Sequence, residues 1–366
     1  MLQCRVDKLR KTLQEKNLDG FLVSNFYNIL YLSGFKTLVD NEREAWMLVM
    51  TRNAYLFSDS RYLNDKLQIT NNNSIINNKY LIIKLITPEK GLIKHLKEIT
   101  GKEKIQRLGF EGDDLKVNEL QKLKEKLINI EFIPTEKLII KQREIKDESE
   151  IEKIRKACKI TDECLTEIVK TIKVGQTEKE IAFKIEFWLK EKGYDLAFYP
   201  IVAVDENSAV PHYDTKTGNN KKVKNNSIIL IDFGTKYQDY LSDITRVVFV
   251  GKPNDEIINA YNKLLAVQTK TIEQCGNETI CKNLDSFCRQ QLNYPHSTGH
   301  GVGLEIHEYP KISLTSTDVF SPNQIITIEP GVYFENKWGM RVEDTVLVKE
   351  NGVEVLTKFD KQPPII

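Results

Sequence analysis

Two carboxylates stand where an apolar strand has little room for them. The segment SIILIDFGTKYQDYLSDITRVVFV (227–250) contains two β-rich runs; Asp232 lies inside the first and Asp243 begins the second. The residues between them read as the turn of a hairpin. Eleven residues fully extended would hold the two aspartates roughly 36 Å apart, whereas a hairpin brings them across the ladder to within a few ångström. Side by side in an apolar sheet they would repel, and each pKa would rise. A bound cation removes the conflict. The plainer alternative is that one aspartate caps the turn and the other pairs with Arg246.

The pattern repeats near residue 330. QIITIEPGVYF (324–334) puts Glu329 at the end of an apolar run, and GMRVEDTVLV (339–348) puts Glu343 inside another strand, with 335–340 read as the loop between them. A buried carboxylate is costly unless paired or metal-bound. Four such groups near one site carry a charge of −4, which two divalent ions would neutralise. Of the five histidines, four (His212, His296, His300 and His307) fall in the same stretch of chain. Spacing and charge do not choose among them as the imidazole ligand. Four carboxylates with one imidazole make a hard, oxygen-rich site, suited to manganese, cobalt, iron or zinc. Two ions a few ångström apart can share a water, lower its pKa and clamp a tetrahedral intermediate, which is chemistry for hydrolysing an amide or ester.

The rest of the chain narrows the setting. At 366 residues, two domains are expected, with the boundary near 135–147. Residues 2–19 space Val6, Leu9, Leu13 and Leu18 along one helical face. The runs GFLVS, ILYLSGF, AWMLVM and AYLFSDSRY have strand length, and the polar run 71–79 reads as a surface loop. Helices are expected near 148–173, 177–192 and 254–274, alternating with paired strands, a pattern of α+β or mixed α/β type. No GxGxxG follows a strand, and GHGVG (299–303) lacks the lysine of a phosphate loop. Lys plus Arg (53) nearly equals Asp plus Glu (52), and no basic stripe is interleaved with aromatics, so neither nucleic acid nor an anionic membrane is indicated as a partner. The absence of a signal-peptide core and of any 18-residue apolar stretch points to the cytoplasm. The six cysteines read as free thiols; Cys275, Cys281 and Cys288 lack the C-x-x-C pair of a zinc site.

The motifs IDFGTKYQDYLSDITR, HSTGHGVGLEIHE, ITIEPGVY and MRVEDT, in this order, resemble those of the pita-bread metallopeptidases: Xaa-Pro aminopeptidases, Xaa-Pro dipeptidases (prolidases) and methionine aminopeptidases. RVDKLRKTLQEKNLDGFLVSNFYNILYLSGF and AYLFSDSRY resemble the N-terminal domain of creatinase and the proline peptidases, which points to the proline-specific branch. The resemblance implies a creatinase-type α/β domain over 1–140 and a pita-bread catalytic domain over 141–366. It implies Asp232, Asp243, His300, Glu329 and Glu343 as ligands of two divalent ions, most simply manganese, with Asp243 and Glu343 bridging. His212 would contact substrate and the developing oxyanion. His307 would stand near the scissile nitrogen, with Glu329 as proton acceptor. His296 and Arg341 would line or orient the substrate site, and Tyr237 would stand behind it in the hairpin. Glu305 reads as a surface or network residue.

The activity so implied is removal of the N-terminal residue before proline (an Xaa-Pro aminopeptidase), in a homodimer. An Xaa-Pro dipeptidase is the first alternative. A metal-free creatinase-like hydrolase and a non-enzymatic binding module share the fold but lack part of the ligand set, so the full set here weighs against both.

Overall fold

The computed structural model describes residues 2–39, 42–62 and 81–366; the run 71–79 lies outside them. The chain divides into two compact units, Met1–Arg143 and Glu144–Ile366. The architecture mixes helices and sheets, as the sequence leads one to expect. Among the described residues no helix is long and apolar enough to cross a membrane.

The first unit is built on a six-stranded sheet. In chain order its elements are α1 (Leu2–Glu15), β1 (Gly20–Val23), α2 (Phe26–Ser33), β2 (Ala45–Met50), β3 (Ala54–Asp59), β4 (Leu81–Ile86), α3 (Leu92–Lys102), β5 (Arg107–Glu111), α4 (Val117–Lys126) and β6 (Glu131–Thr135). The strand order is β4-β3-β2-β1-β5-β6. On α1, Val6, Leu9 and Leu13 are buried, as their spacing predicts. The run ILYLSGF is not a strand: most of it belongs to α2. Asn25 caps that helix by accepting from the Asn28 N–H, and Gly34 closes it in the left-handed region at φ 73°. Caps at both ends, with Ile29 and Leu32 three apart on the buried side, outweigh the strand propensity of the run.

The boundary falls at the end of α5 (Leu138–Glu144), and the second unit opens with α6 (Glu148–Thr171) and α7 (Glu178–Glu191). Both longer helices begin with a capping box, Asp147 with Glu150 and Thr177 with Glu180. Then come β7 (Asp195–Leu196), β8 (Ile201–Val204), β9 (Ile228–Phe233), β10 (Thr235–Tyr237), β11 (Tyr240–Leu241) and β12 (Ile244–Phe249). The sheet β12-β9-β8 is antiparallel. Period-two alternation divides its faces. Ile229, Ile231 and Phe233 of β9 pack with α6 and α7. Ile228, Val247 and Phe249 pack instead in a cluster with Ile257, Tyr261 and Leu264 of α8 (Asp255–Glu273). Each fully buried aliphatic side chain of this kind contributes about 1.5–3 kcal/mol.

The hairpin expected over 227–250 is present but more segmented than the sequence suggests. Gln238 and Asp239, both at positive φ, make its tip, while Thr235–Tyr237 and Tyr240–Leu241 join β7 in a separate sheet of order β11-β10-β7.

The chain continues through α9 (Cys281–Arg289), β13 (Gly299–Gly301), β14 (Glu308–Ile312), β15 (Ile325–Ile328), β16 (Gly331–Phe334), β17 (Trp338–Arg341), β18 (Asp344–Val348) and β19 (Val353–Val355). The sheet order is β14-β13-β15-β18-β19, and β16 pairs with β17 alone. The loop expected over 335–340 is therefore shorter, since Trp338–Met340 are paired with Val332–Phe334. Glu329-Pro330 and Val342-Glu343 are the two breaks that separate this ribbon from the main sheet. Cys158, Cys164, Cys275, Cys281 and Cys288 are buried free thiols.

Candidate metal centre

The strand breaks gather the carboxylates. Asp232 sits near the end of β9, paired in register with Thr245. Asp243 immediately precedes β12. Glu329 follows β15, Glu343 precedes β18, and Ile328 is in register with Asp344. An isolated bridge between Thr245 and Glu343 links the two sheets at this point, with the Glu343 N–H donating to the Thr245 carbonyl at 3.2 Å.

His300 occupies the middle of β13, where the register with β14 shifts between His300 and Gly301. Such a bulge re-aims a side chain. A Cβ on Gly301 would lie 2.2 Å from the Tyr309 carbonyl oxygen, so the close approach of strands here requires glycine.

The resulting cluster is compact. Asp243, His300 and Glu343 each offer a ligand atom within 4.8 Å of the others. His300 Nε2 lies 3.3 Å from Glu329 Oε1 and 3.7 Å from Asp243 Oδ2. His300 Nδ1 is 3.1 Å from the Gly301 carbonyl, which leaves Nε2 as the nitrogen facing the carboxylates. Asp232 joins through Arg341, whose NH2 is 2.5 Å from Asp232 Oδ2.

Arg246 does not pair with either aspartate. It bonds Asp344 at 2.7 Å, so the plainer reading of the first hairpin does not describe it.

Four carboxylates share this space with one guanidinium, and the electrostatics register the imbalance. Burial pushes the Asp243 carboxyl well above its ordinary range, and the charges of Glu343, Asp232 and Glu329 push it further. Glu343 is raised well above its range by burial, then by Glu329 and Asp232. Burial lifts Glu329 to about 7. Burial lowers His300 to about 3, with the neighbouring His307 adding to the shift. Asp232 Oδ1 and Asp243 Oδ1 are buried with no hydrogen-bond partner among the described residues. Orphaned carboxylate oxygens beside a neutral imidazole fit a divalent cation, which supplies the positive charge that the protein leaves out.

These shifts carry a pH signature. A carboxylate with a raised folded pKa stabilises the metal-free protein fully below its unfolded value, and that contribution is lost as pH rises through the folded value. For Glu329 the window runs from the ordinary carboxylate range up to about 7. Divalent cations require the ionised forms, so metal uptake at pH 7 is expected to release protons. Titration calorimetry in buffers of different ionisation enthalpy measures this, and metal uptake without proton release would contradict it.

The remaining expected residues fall around the cluster. The His307 ring lies 4.5 Å from that of His300, centroid to centroid, on an exposed position. His296 Nε2 hydrogen-bonds Tyr333 OH at 2.9 Å, and its Nδ1 is 3.9 Å from Glu329 Oε2. His212 is exposed on a turn, near enough for its charge to lower His296, His300 and His307. Tyr237 belongs elsewhere: it packs against Tyr194 and the core beneath α6 and α7. Glu305 is half-buried in the loop before β14, where its N–H donates to Glu308.

Several participants escaped the sequence reading. Thr245 Oγ1 donates to Glu343 Oε2 at 2.7 Å and accepts from Arg341 Nε at 3.0 Å. Tyr333 OH accepts from Arg341 NH1 at 2.8 Å. Thr327 Oγ1 accepts the His300 N–H at 3.1 Å. The available signal was period two: Thr245 is two residues beyond Asp243, and Thr327 two before Glu329.

Comparison with known proteins places the chain among metallopeptidases. Residues 152–350 match the family described as metallopeptidase family M24, and residues 5–145 match the creatinase/prolidase N-terminal domain. An Xaa-Pro dipeptidase of Pyrococcus horikoshii is 32% identical over 366 residues, covering 98% of each chain. The solved structure of an Xaa-Pro dipeptidase from Bacillus anthracis aligns over 100% of both chains with a TM-score of 0.89 at 30% identity. That of an X-Pro aminopeptidase from Thermotoga maritima covers 96% of this chain and 98% of its own, with a TM-score of 0.83 at 32% identity.

Proposed function

The chain belongs to metallopeptidase family M24, in its pita-bread prolidase branch, and on that premise we propose that it is a two-metal Xaa-Pro dipeptidase. The observation that carries the hydrolytic reading is the set of buried carboxylates with orphaned oxygens around His300. The sequence alone favoured an aminopeptidase. The relatives named as dipeptidases, matched over nearly the whole chain, move the preference to the dipeptidase. The Thermotoga structure keeps the aminopeptidase as the second reading.

In this proposal Asp232, Asp243, His300, Glu329 and Glu343 would hold the two ions. Divalent ions there, most simply manganese, would supply Lewis acidity toward the peptide carbonyl and a water of lowered pKa. The protein does the rest. Arg341 holds Asp232, and Thr245 holds Glu343, so both carboxylates keep a fixed aim. Glu329 would serve as the proton acceptor, handing the proton toward the leaving imino nitrogen. His307 stands beside that nitrogen. His212 donates to the oxygen of the carbonyl as negative charge develops on it. Proline's tertiary amide nitrogen carries no hydrogen, so its departure depends on proton delivery from this side of the site.

A peptide-length series with manganese, cobalt and zinc tests the reading. Xaa-Pro is expected to be cleaved at least tenfold faster, in kcat/KM, than Xaa-Pro-Xaa, a difference of about 1.4 kcal/mol in transition-state binding. The reverse preference would establish the aminopeptidase. Inactivity on both with every metal would end the peptidase reading.

A further inference from the structure

His212 is exposed on a short turn, yet the role assigned to it demands a fixed position. Loops that carry function are held by a rigid scaffold, and this one is held on both sides of the histidine. On one side, Arg341 NH1 donates to the Pro211 carbonyl at 3.3 Å. On the other, Tyr213 OH donates to Glu178 Oε2 at 2.8 Å.

Glu178 is the unusual member. It is the first residue of α7, and its side chain is fully buried at 0% exposure. A helix N-terminus favours a carboxylate, but four further donors converge on this one. Oε1 accepts the Val204 N–H at 2.7 Å and Asn207 Nδ2 at 2.8 Å. Oε2 accepts Tyr213 OH and, at 2.9 Å, the Lys221 N–H. One carboxylate thus ties the end of β8, the helical turn Asp205–Ala209 and both flanks of the loop 211–220 to α7.

The loop is shaped to receive the tyrosine. A Cβ on Gly218 would lie 2.2 Å from Tyr213 OH. Asn207 Nδ2 also donates to that hydroxyl, at 3.0 Å. Burial and Glu178 raise the phenol to about 12, so it remains a donor at neutral pH.

We propose that Glu178 and Tyr213 are positioning residues for His212, fixing the histidine's reach toward substrate without touching substrate or metal themselves. The inference rests on the reading of His212 as the substrate-facing donor. A displacement of about 1 Å at a catalytic group can cost up to 10²-fold in rate.

The test uses Tyr213→Phe, which removes one hydroxyl, and Glu178→Gln, which keeps shape but turns two acceptor sites into donors. In the metal-loaded protein, Tyr213→Phe is expected to lower kcat/KM on an Xaa-Pro dipeptide roughly tenfold. Bound metal per chain should stay unchanged. In a His212→Ala background the same substitution should have no further effect. Equal losses in both backgrounds would overturn the proposal, because they would mean that Tyr213 acts other than through His212.

Histidine imidazole NMR signals give a readout independent of activity. The His212 signal, identified by its loss in His212→Ala, should shift in Tyr213→Phe and in Glu178→Gln, while that of His300 stays. An unmoved His212 signal would refute the inference even if the protein cleaves Xaa-Pro. A moved signal in a protein inactive on every peptide would uphold the anchor while removing the peptidase reading. If Glu178→Gln fails to fold, Tyr213→Phe alone decides.

Discussion

Asp243→Asn is expected to raise the melting temperature of the metal-free protein and, in the metal-loaded protein, to lower kcat/KM by about 10³-fold or more. The opposite signs follow from one cause. Without metal, Asp243 is buried at 5% exposure among Glu343, Asp232 and Glu329, whose charges add to burial in resisting its ionisation. An amide of the same shape removes that charge, and its N–H groups can donate to the carboxylates nearby. The same change removes a shared ligand from the proposed two-metal site. Loss of several kcal/mol of metal stabilisation at the transition state corresponds to a rate factor of about 10³. Thermal melting in chelator, metal content after dialysis and kcat/KM with excess manganese measure the three quantities. A variant that melts lower in chelator, or that keeps its metal and activity within tenfold, would show that Asp243 is a structural acid and not a ligand.

Asp344→Ala carries the largest expected loss of stability, about 3–5 kcal/mol, the usual cost of stripping one partner from a buried ion pair. Asp344 is fully buried and accepts from Arg246 at 2.7 Å, Lys361 at 2.6 Å, Gln268 at 2.8 Å and Thr357 at 2.9 Å. Burial opposes its ionisation, but Arg246 and Lys361 outweigh burial and hold the carboxyl below its ordinary range. A depressed carboxylate stabilises above its unfolded pKa, and that contribution fades as pH falls through the folded value. The deficit of the variant should therefore shrink in acid. Arg246, itself 1% exposed, would be left with a buried charge. Its NH1 also donates to the carbonyls of Thr245 and Glu343, so loosening it reaches the metal centre, and metal affinity should fall about 10–100-fold. Urea unfolding in chelator checks the first number and metal titration the second. A loss below about 1 kcal/mol would place this network among ordinary surface contacts.

How much of this was visible in the sequence depends on the kind of signal. Asp232, Asp243, Glu329 and Glu343 stood out because an acid inside an apolar strand-length run contradicts its surroundings, and His300 was picked from its neighbours only through family resemblance. α6, α7 and α8 are legible from the sequence rhythm, and α6 also from the acidic residues at its start. α2 was not, because ILYLSGF is short and apolar throughout, and only the caps at Asn25 and Gly34 distinguish helix from strand. The break before Pro330 is legible from Glu329 at the end of its apolar run, but the break at Glu343 is not, because register between distant strands is set by tertiary pairing. Arg341 could be seen as basic and near, but that it chooses Asp232 while Arg246 chooses Asp344 depends on packing that no local window contains.

The proposed ligands are scattered from residue 232 to residue 343, at strand and strand-end positions that only the finished pairing of two sheets aligns. A short zinc-binding loop can seize its ion while the chain is still largely open. Here the coordinating atoms have no common locality until the long-range contacts are made, and closing those loops costs entropy before any ion can repay it. Metal therefore has little to grip in the unfolded chain or in an early folding transition state. Its stabilisation belongs to the native side of the barrier, where it retards unfolding and does little to hasten folding. For a nascent chain, an ion at this proposed site would be the last component of a completed unit.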